Sequence, residues 1–275
     1  MDGMDRMNNT EGRQQTSMAT VAAVVLTKNE ESNIADCLRS VSAWVDEIIV
    51  VDSGSTDNTC AIAREYTDNV MFHPWAGFSA QRNYADSFVK SDWILCLAAD
   101  ERVSPGLQAE IAAQVKPLPA DDPVVAYRIP IRDWMFGKFV NYGMWPLQKH
   151  VRLYRRGKAQ WVGTVHEWPE VAGESGLLTQ PILHYSHLTV ARFIEKLNTY
   201  TELEANEMFA RGQRANLATA SLGAIRAFLG QYVRLQGFRD GGHGLILAVL
   251  MAVYFFVTRA KLWSRWYMQE HGGGK

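Results

Sequence analysis

Apolar runs that end in carboxylates confine this chain to few folds. Trp93-Ile94-Leu95-Cys96-Leu97-Ala98-Ala99 runs straight into Asp100-Glu101, and Ile48-Ile49-Val50-Val51 into Asp52. A further run, Val21 to Leu26, leads into Thr27-Lys28-Asn29-Glu30. Runs this short and this rich in β-branched residues read as buried strands. Helical spacing fills the gaps. Glu31 to Trp44 places Ile34, Leu38, Val41 and Val45 on one face, and Thr56 to Tyr66 and Phe78 to Val89 read as further helices. Val70 to Phe72 is a short strand. Strand and helix alternating at this spacing predict an α/β fold with a parallel, doubly wound sheet and right-handed crossovers. Such sheets bind ligands beyond the carboxyl ends of their strands, where a carboxylate commonly holds a divalent cation for phosphate chemistry.

The pattern changes after Ser104-Pro105, an N-cap followed by a proline that opens a helix. Pro117-Leu118-Pro119-Ala120-Asp121-Asp122-Pro123 predicts a subdomain boundary. Beyond it, Val125–Ile131, His150–Tyr154 and Ile182–Tyr185 are short β segments with no long helix between them. Residues 189–211 form an amphipathic helix with Phe193, Leu197, Tyr200 and Leu203 on one face. Another helix is expected from Leu217 to Leu235. A breaker at Asp240–Gly244 precedes a last helix from Leu245 to Met268.

Net charge is −1, which gives no global field for nucleic acid. Its distribution is uneven. Residues 1–120 carry nine Lys/Arg against 17 Asp/Glu, whereas residues 211–275 carry nine against two. The basic end also holds the long apolar run Gly244 to Val257. That run is shorter than the roughly 20 residues a spanning helix needs. Arg259, Lys261 and Arg265 interleave with Trp263, Trp266 and Tyr267, a mixture suited to a helix lying on an anionic membrane surface. A packed core helix or a dimer interface is the alternative. Cys37, Cys60 and Cys96 have neither metal-ligand spacing nor an even count, and suit core positions in a reducing compartment. Residues 1–18 lack the apolar stretch of a signal peptide and are expected to form a disordered tail.

Among residues that can carry chemistry, Asp100 suits Mg or Mn bridging two phosphates, and Asp52 suits a hydrogen bond to a base or ribose. Each is also a common cap or turn former. Arg152, Arg155 and Arg156 can hold a diphosphate or simply end a strand in solvent. Arg82-Asn83 lies early in a helix, facing a donor or a surface partner. Trp134, Phe136, Trp145 and Trp161 can stack on sugars or fill a core. His166 and His184 are not spaced as a zinc site.

Val24-Val25-Leu26-Thr27-Lys28-Asn29-Glu30, Ile49-Val50-Val51-Asp52-Ser53-Gly54-Ser55-Thr56-Asp57, Arg82-Asn83 and Ala99-Asp100-Glu101 resemble the ordered motifs of family 2 glycosyltransferases. Those are inverting, nucleotide-sugar-dependent enzymes of the GT-A fold. Arg132-Asp133-Trp134-Met135-Phe136-Gly137, Val151 to Gly157, Val165-His166-Glu167, Leu183-His184-Tyr185 and Ala260-Lys261-Leu262-Trp263 resemble the branch that adds β-linked glucose to heptose in the lipopolysaccharide inner core. The resemblance implies a GT-A domain over 19–210. Its nucleotide-sugar half is 19–120 and its acceptor half 121–210; a membrane-associating helical region follows at 211–275. It implies donor contacts from Thr27, Asn29, Glu30, Asp52, Ser53, Arg82, Asn83, Asp100 and Arg152, with Asp100 on the metal. It places an acidic base near Glu167, with Asp133 as second candidate, and acceptor contacts from Trp134 and His166.

One departure stands out. The family's Asp-Xaa-Asp is Ala98-Ala99-Asp100 here. A lost donor hydrogen bond weakens binding by ~1–3 kcal/mol if its partner stays buried. The expected activity is therefore hexose transfer, with glucose from UDP-glucose favoured, to a lipid-linked saccharide by a divalent-cation-dependent enzyme at the inner face of the cytoplasmic membrane. A silent sugar-nucleotide-binding protein of the same fold is the alternative. Nucleotidyl transfer lacks a Gly- and basic-rich triphosphate loop.

Overall fold

Val21, Ala23 and Val25 face one hydrophobic layer and Ala22 and Val24 the other, so β1 (Val21–Thr27) is buried on both sides. This is the burial a parallel strand with helices above and below requires. The structure, a computed structural model, describes residues 18–119, 121–163, 167–187 and 189–271. Around β1 lie α1 (Ile34–Ser42), β2 (Glu47–Asp52), α2 (Thr59–Ala63), β3 (Val70–Phe72), α3 (Phe78–Asp86) and β4 (Trp93–Ala98). The strands run parallel in the order β3-β2-β1-β4, as expected. The helix expected from Thr56 begins only at Thr59. The Asp57 carboxylate accepts from the Thr59 backbone N–H at 3.0 Å and from its hydroxyl at 2.5 Å, which keeps the preceding residues in a turn.

Beyond β4 come β5 (Glu101–Val103), α4 (Pro105–Gln114), β6 (Val124–Met135), β7 (Lys138–Phe139), β8 (Lys149–Arg155), β9 (Ala159–Val162), β10 (Trp168–Val171), β11 (Glu174–Leu177) and β12 (Ile182–His187). Ser104 caps α4 as predicted, accepting from Leu107 N at 3.2 Å. The sheet continues past the Pro-rich stretch as β4-β8-β6-β12-β5. It is therefore mixed rather than wholly parallel: β8 runs antiparallel to both β4 and β6. Because β8 reverses direction, β6 ends on the same edge as β1, β2 and β4. β12 lies parallel to β6 and ends there too.

Three helices complete the chain: α5 (Val190–Ala210), α6 (Leu217–Leu229) and α7 (Gly242–His271), with one π-helical turn at Gly230–Arg234 and a 3-10 turn at Gly237–Asp240. The break expected at 240–244 is narrower than its glycines: Gly241, at φ 65, separates the 3-10 turn from α7, and Gly242 and Gly244 already belong to the helix. A Cβ at Gly244 would collide with the Gly237 carbonyl, so this glycine serves close packing rather than a bend. α7 packs against both α5 and α6, and α7 is long and apolar enough to cross a membrane by length and composition.

Candidate active site

The shared strand edge opens into a cavity of about 780 Å³. Its floor carries Thr27, Ala98, Asp100 and Asp133 from β-strand ends, and α5 and α7 roof one end with Phe193, Leu197, Tyr200, Met251 and Tyr254.

Its centre is a row of three side chains brought together by strand pairing. β12 lies between β6 and β5, with His184 in register with Asp133 on one side and Glu101 on the other. His184 Nδ1 donates to Asp133 Oδ1 at 2.7 Å, and Nε2 stands 3.5 Å from Asp100 Oδ2. Lys196 Nζ approaches the same oxygen at 3.9 Å. Burial alone would raise the Asp100 pKa, but the His184 hydrogen bond and the charges of His184 and Lys196 outweigh it and hold the group at about 2. Burial likewise works against a charged His184, and its two carboxylate neighbours reverse that, lifting it to about 10.

Asp100, ionised and lining the cavity, could hold a divalent cation. His184, whose Nδ1 is fixed by the Asp133 carboxylate, could join it only by releasing the proton that faces Asp100 from Nε2. Among the described residues no group of three or more His, Cys, Asp or Glu forms a complete metal cage. A cation here would take Asp100 and His184 from the protein and its remaining oxygens from substrate and water, the habit of Mg in phosphate sites.

Facing this row are two guanidinium groups with unsatisfied donors. Arg82 is buried with its Cζ 4.4 Å from the centre of the Trp161 ring, and its Nε and Nη1 have no partner among the described residues. Arg152 Nη2 bonds Glu101 Oε1 at 2.9 Å, and its Nε and Nη1 are likewise unpartnered among the described residues. Both line the cavity. Buried donors without acceptors mark where an anionic ligand supplies them. Glu167 lies on the wall, 4.0 Å from Arg82 Nη2. Thr27, whose buried hydroxyl has no partner among the described residues, Glu30 and Ser53 also line the cavity. Burial raises the Glu30 pKa against the opposing Asn33 hydrogen bond.

Other expected residues sit elsewhere. Asp52 does not line the cavity. Its carboxylate accepts from Gly54 N at 2.8 Å, Ser55 N at 2.9 Å and the Ser55 hydroxyl at 2.5 Å, the turn-forming role. β2 and β4 are not neighbours, since β1 lies between them. Asn29, at φ 54, accepts from Thr56 N at 2.8 Å and stitches the loop after β1 to the loop after β2. Asn83 clips α3 to β9 through both backbone groups of Trp161, each at 2.9 Å. Trp134 follows Asp133 in β6 and so projects to the opposite face, packing edge-on to Phe139 and tilted on Tyr185. Trp145 lines the cavity instead. The Arg152–Arg155–Arg156 patch does not form. Arg155 lies over Trp93 and bonds the Pro119 carbonyl, and Arg156 bonds Ser91 O at 3.1 Å. His166 lies outside the described residues, as do residues 1–17 of the expected tail. Glu101, three residues beyond Ala98, does not stand in for the acid absent there, because it is occupied by Arg152 and by the Ala98 N–H at 2.8 Å.

His184 and Lys196 were not anticipated. His184 carried a signal in its place beside Tyr185 at the end of a β segment. Lys196 carried one in its helical spacing from Phe193 and Tyr200.

The comparisons agree with this architecture. Residues 22–168 match the model of glycosyl transferase family 2. The lipopolysaccharide core biosynthesis glycosyltransferase LpsC of Rhizobium meliloti is 32% identical over 257 residues, covering 89% of this chain and 92% of that protein. An uncharacterized glycosyltransferase of Rickettsia felis is 31% identical over 255 residues, covering 89% and 90%. Among solved structures, S. aureus TarS 1–349 aligns over 92% of each chain at 17% identity and a TM-score of 0.44, too loose a likeness to bear on function. With its motifs ordered along the matched region and its strand ends gathered on one cavity, the chain belongs to glycosyl transferase family 2 and is a glycosyltransferase.

Proposed function

We propose that the protein transfers a hexose, with inversion, from a UDP-sugar to the lipopolysaccharide core or a related lipid-linked glycan, with UDP-glucose as the donor to test first. One observation carries this reading: the Asp133–His184–Asp100 row faces the unsatisfied guanidinium groups of Arg82 and Arg152 across one cavity. The likeness to LpsC, named for lipopolysaccharide core biosynthesis, supports the acceptor class.

In this reading Asp100, with His184 once its Nε2 is deprotonated, would hold Mg or Mn, which would screen the diphosphate charge as the bond from the anomeric carbon to the diphosphate oxygen breaks. Arg82 and Arg152 take the remaining charge of the leaving nucleoside diphosphate. The acceptor oxygen bonds to the anomeric carbon from the opposite face and its proton passes to Glu167. Asp133 is the weaker candidate for that base, because its Oδ1 is already held by His184. Thr27, Glu30 and Ser53 border the donor end, where they line the cavity. Asp52, Asn29 and Asn83 shape that end indirectly, through the loops and strand they fix. Trp145, Tyr200 and Tyr254 offer ring faces to the acceptor in the place expected of Trp134.

The helical region supports contact with the inner leaflet. Leu222, Ile225, Leu229 and Val233 on one side, and Ile246, Val249, Val253 and Phe256 on α7, are exposed. Arg226, Arg234 and Arg239 are exposed around them. Of the two acidic residues in the region, Asp240 is buried and Glu270 pairs with Arg214 at 2.7 Å. An anionic bilayer complements such a face, whereas a second copy would set arginine against arginine. The opposite side of α7 buries Leu247, Leu250 and Leu262, and Lys261 bonds Asn198 of α5, which favours a helix lying along the surface over one crossing it.

A second reading rests on Ala98: a protein that binds sugar nucleotide without turnover. Glycosyl transfer from UDP-glucose to truncated-core lipopolysaccharide, followed by mass spectrometry with and without Mn, separates the two. Cation-dependent addition of one hexose supports transfer; UDP binding with no product supports the silent reading. Glu167→Gln is expected to lower kcat by ~10²–10⁴-fold with donor affinity nearly unchanged, and a normal kcat would move the base to Asp133.

A further inference from the structure

The cavity wall between β6 and β8 is tied to β6 at its two ends, by Val140 N to Asp133 O at 3.1 Å and Ile131 N to Gln148 O at 3.2 Å, and by Arg132 to the Asn141 side chain at 3.1 Å; the backbone between is held from elsewhere. Four consecutive backbone N–H groups there, 141 to 144, all bond to one short segment of the C-terminal region. Asn141 N and Tyr142 N donate to Asp240 Oδ2 at 3.0 and 2.9 Å. Gly143 N donates to Leu235 O at 2.9 Å, and Met144 N to Gln231 Oε1 at 3.0 Å. Asp240 also meets Lys138 Nζ at 3.4 Å, and Arg239 covers the Tyr142 ring at 4.4 Å. Both Asp240 and Gln231 are buried. Gly143, at φ +90, admits no side chain, because a Cβ would strike the Gln231 amide. The residues that follow, Met144, Trp145 and Gln148, line the cavity.

Four consecutive amides satisfied by one distant segment make the path of that stretch depend on the segment, whatever its ends bond to. We propose that Asp240 and Gln231 are positioning residues for transfer. They clamp residues 141–144, and so set the acceptor-side wall that carries Met144, Trp145 and Gln148. This rests on the cavity being the site of transfer. The clamp grows from the same helical region that exposes the apolar face of α6 and α7, so the wall and that face share one support.

The test uses the full chain with Asp240→Ala, Asp240→Asn and Gln231→Met. Three quantities are measured: hydrogen exchange of amides 141–144, UDP affinity with Mn, and kcat and KM for truncated-core lipopolysaccharide with UDP-glucose. Asp240→Ala and Gln231→Met are expected to speed exchange of those amides and to raise acceptor KM by ~10-fold, with kcat and UDP affinity within ~2-fold. Asp240→Asn, which keeps an acceptor oxygen, is expected to restore the wild-type KM. If Asp240→Ala does not fold, Gln231→Met decides alone. Freed amides with an unchanged acceptor KM, or UDP affinity falling in step with it, would overturn the positioning role. A wild type that neither binds UDP nor transfers glucose would remove the functional reading, and the positioning role with it. A wild type that transfers, beside variants that keep its KM, would remove the positioning role alone.

Discussion

The two halves of the cavity are built differently. Around the ends of β1 and β2, polar groups are tied by neighbours close in sequence or in the adjacent loop. Asp52 binds Gly54 and Ser55, Asp57 binds Thr59, and Asn29 binds Thr56. On the far side the contacts are imported. Asp133 reaches His184, His184 reaches back to Asp100, Arg152 reaches Glu101, and Arg82 on α3 meets Glu167. Local bonds make a frame that forms wherever its own sequence forms. Imported contacts exist only once β8, β6 and β12 have joined the sheet, and they leave donors and acceptors open for a ligand. The first half should therefore answer mutation mainly in stability, and the second mainly in activity.

The sharpest way to break this contrast is Asp100→Ala. Loss of the carboxylate that pairs with His184 is expected to lower cation-dependent transfer by ~10³-fold or more, with an unchanged circular dichroism spectrum. An unchanged rate would take Asp100 out of the mechanism. Arg82→Met comes next. It keeps much of the bulk over Trp161 and removes the open donors, so titration with UDP should show affinity down by ~10–100-fold and a melting temperature close to wild type.

The smaller effects belong to stability. Asp86, beneath the site, accepts from the Tyr154 hydroxyl at 2.7 Å. Burial raises its pKa to about 6, against the Tyr154 hydrogen bond and the Arg82 charge. Because the folded value lies above the unfolded one, its contribution is fully present below about pH 4 and is lost as pH rises through 6. Asp86→Asn should flatten that dependence and gain relative stability from pH 4 to pH 7, by ~2 kcal/mol at most in urea titrations. A parallel pH profile would contradict the assignment. Asn29→Ala removes the Thr56 bond and sets alanine at positive φ. A loss of ~1–2 kcal/mol is expected, with kcat moving less than twofold at saturating donor.

The same contrast explains what the sequence could say. Ser104 before Pro105, the apolar runs and the acidic strand ends act within a few residues, so the parallel core and the position of Asp100 were legible. The Asp133–His184–Asp100 row was not. It depends on β12 slotting between β6 and a three-residue strand, β5, too short to leave a pattern. Trp134 was misplaced for a related reason. Strand alternation fixes that it opposes Asp133, but which of the two faces the cavity depends on β12. The glycines at 241–244 look like a break in sequence, and only the approach of the Gly237 carbonyl shows that Gly244 is there for packing.

Calorimetric titration of the full chain with UDP and UDP-glucose, with and without Mn, decides whether Asp100 and His184 make this cavity a cation-assisted nucleotide-sugar site despite Ala98. Binding of both is expected, stronger with Mn, with that dependence lost in His184→Ala. Absence of binding in a folded protein, or binding indifferent to both Mn and His184, would contradict it.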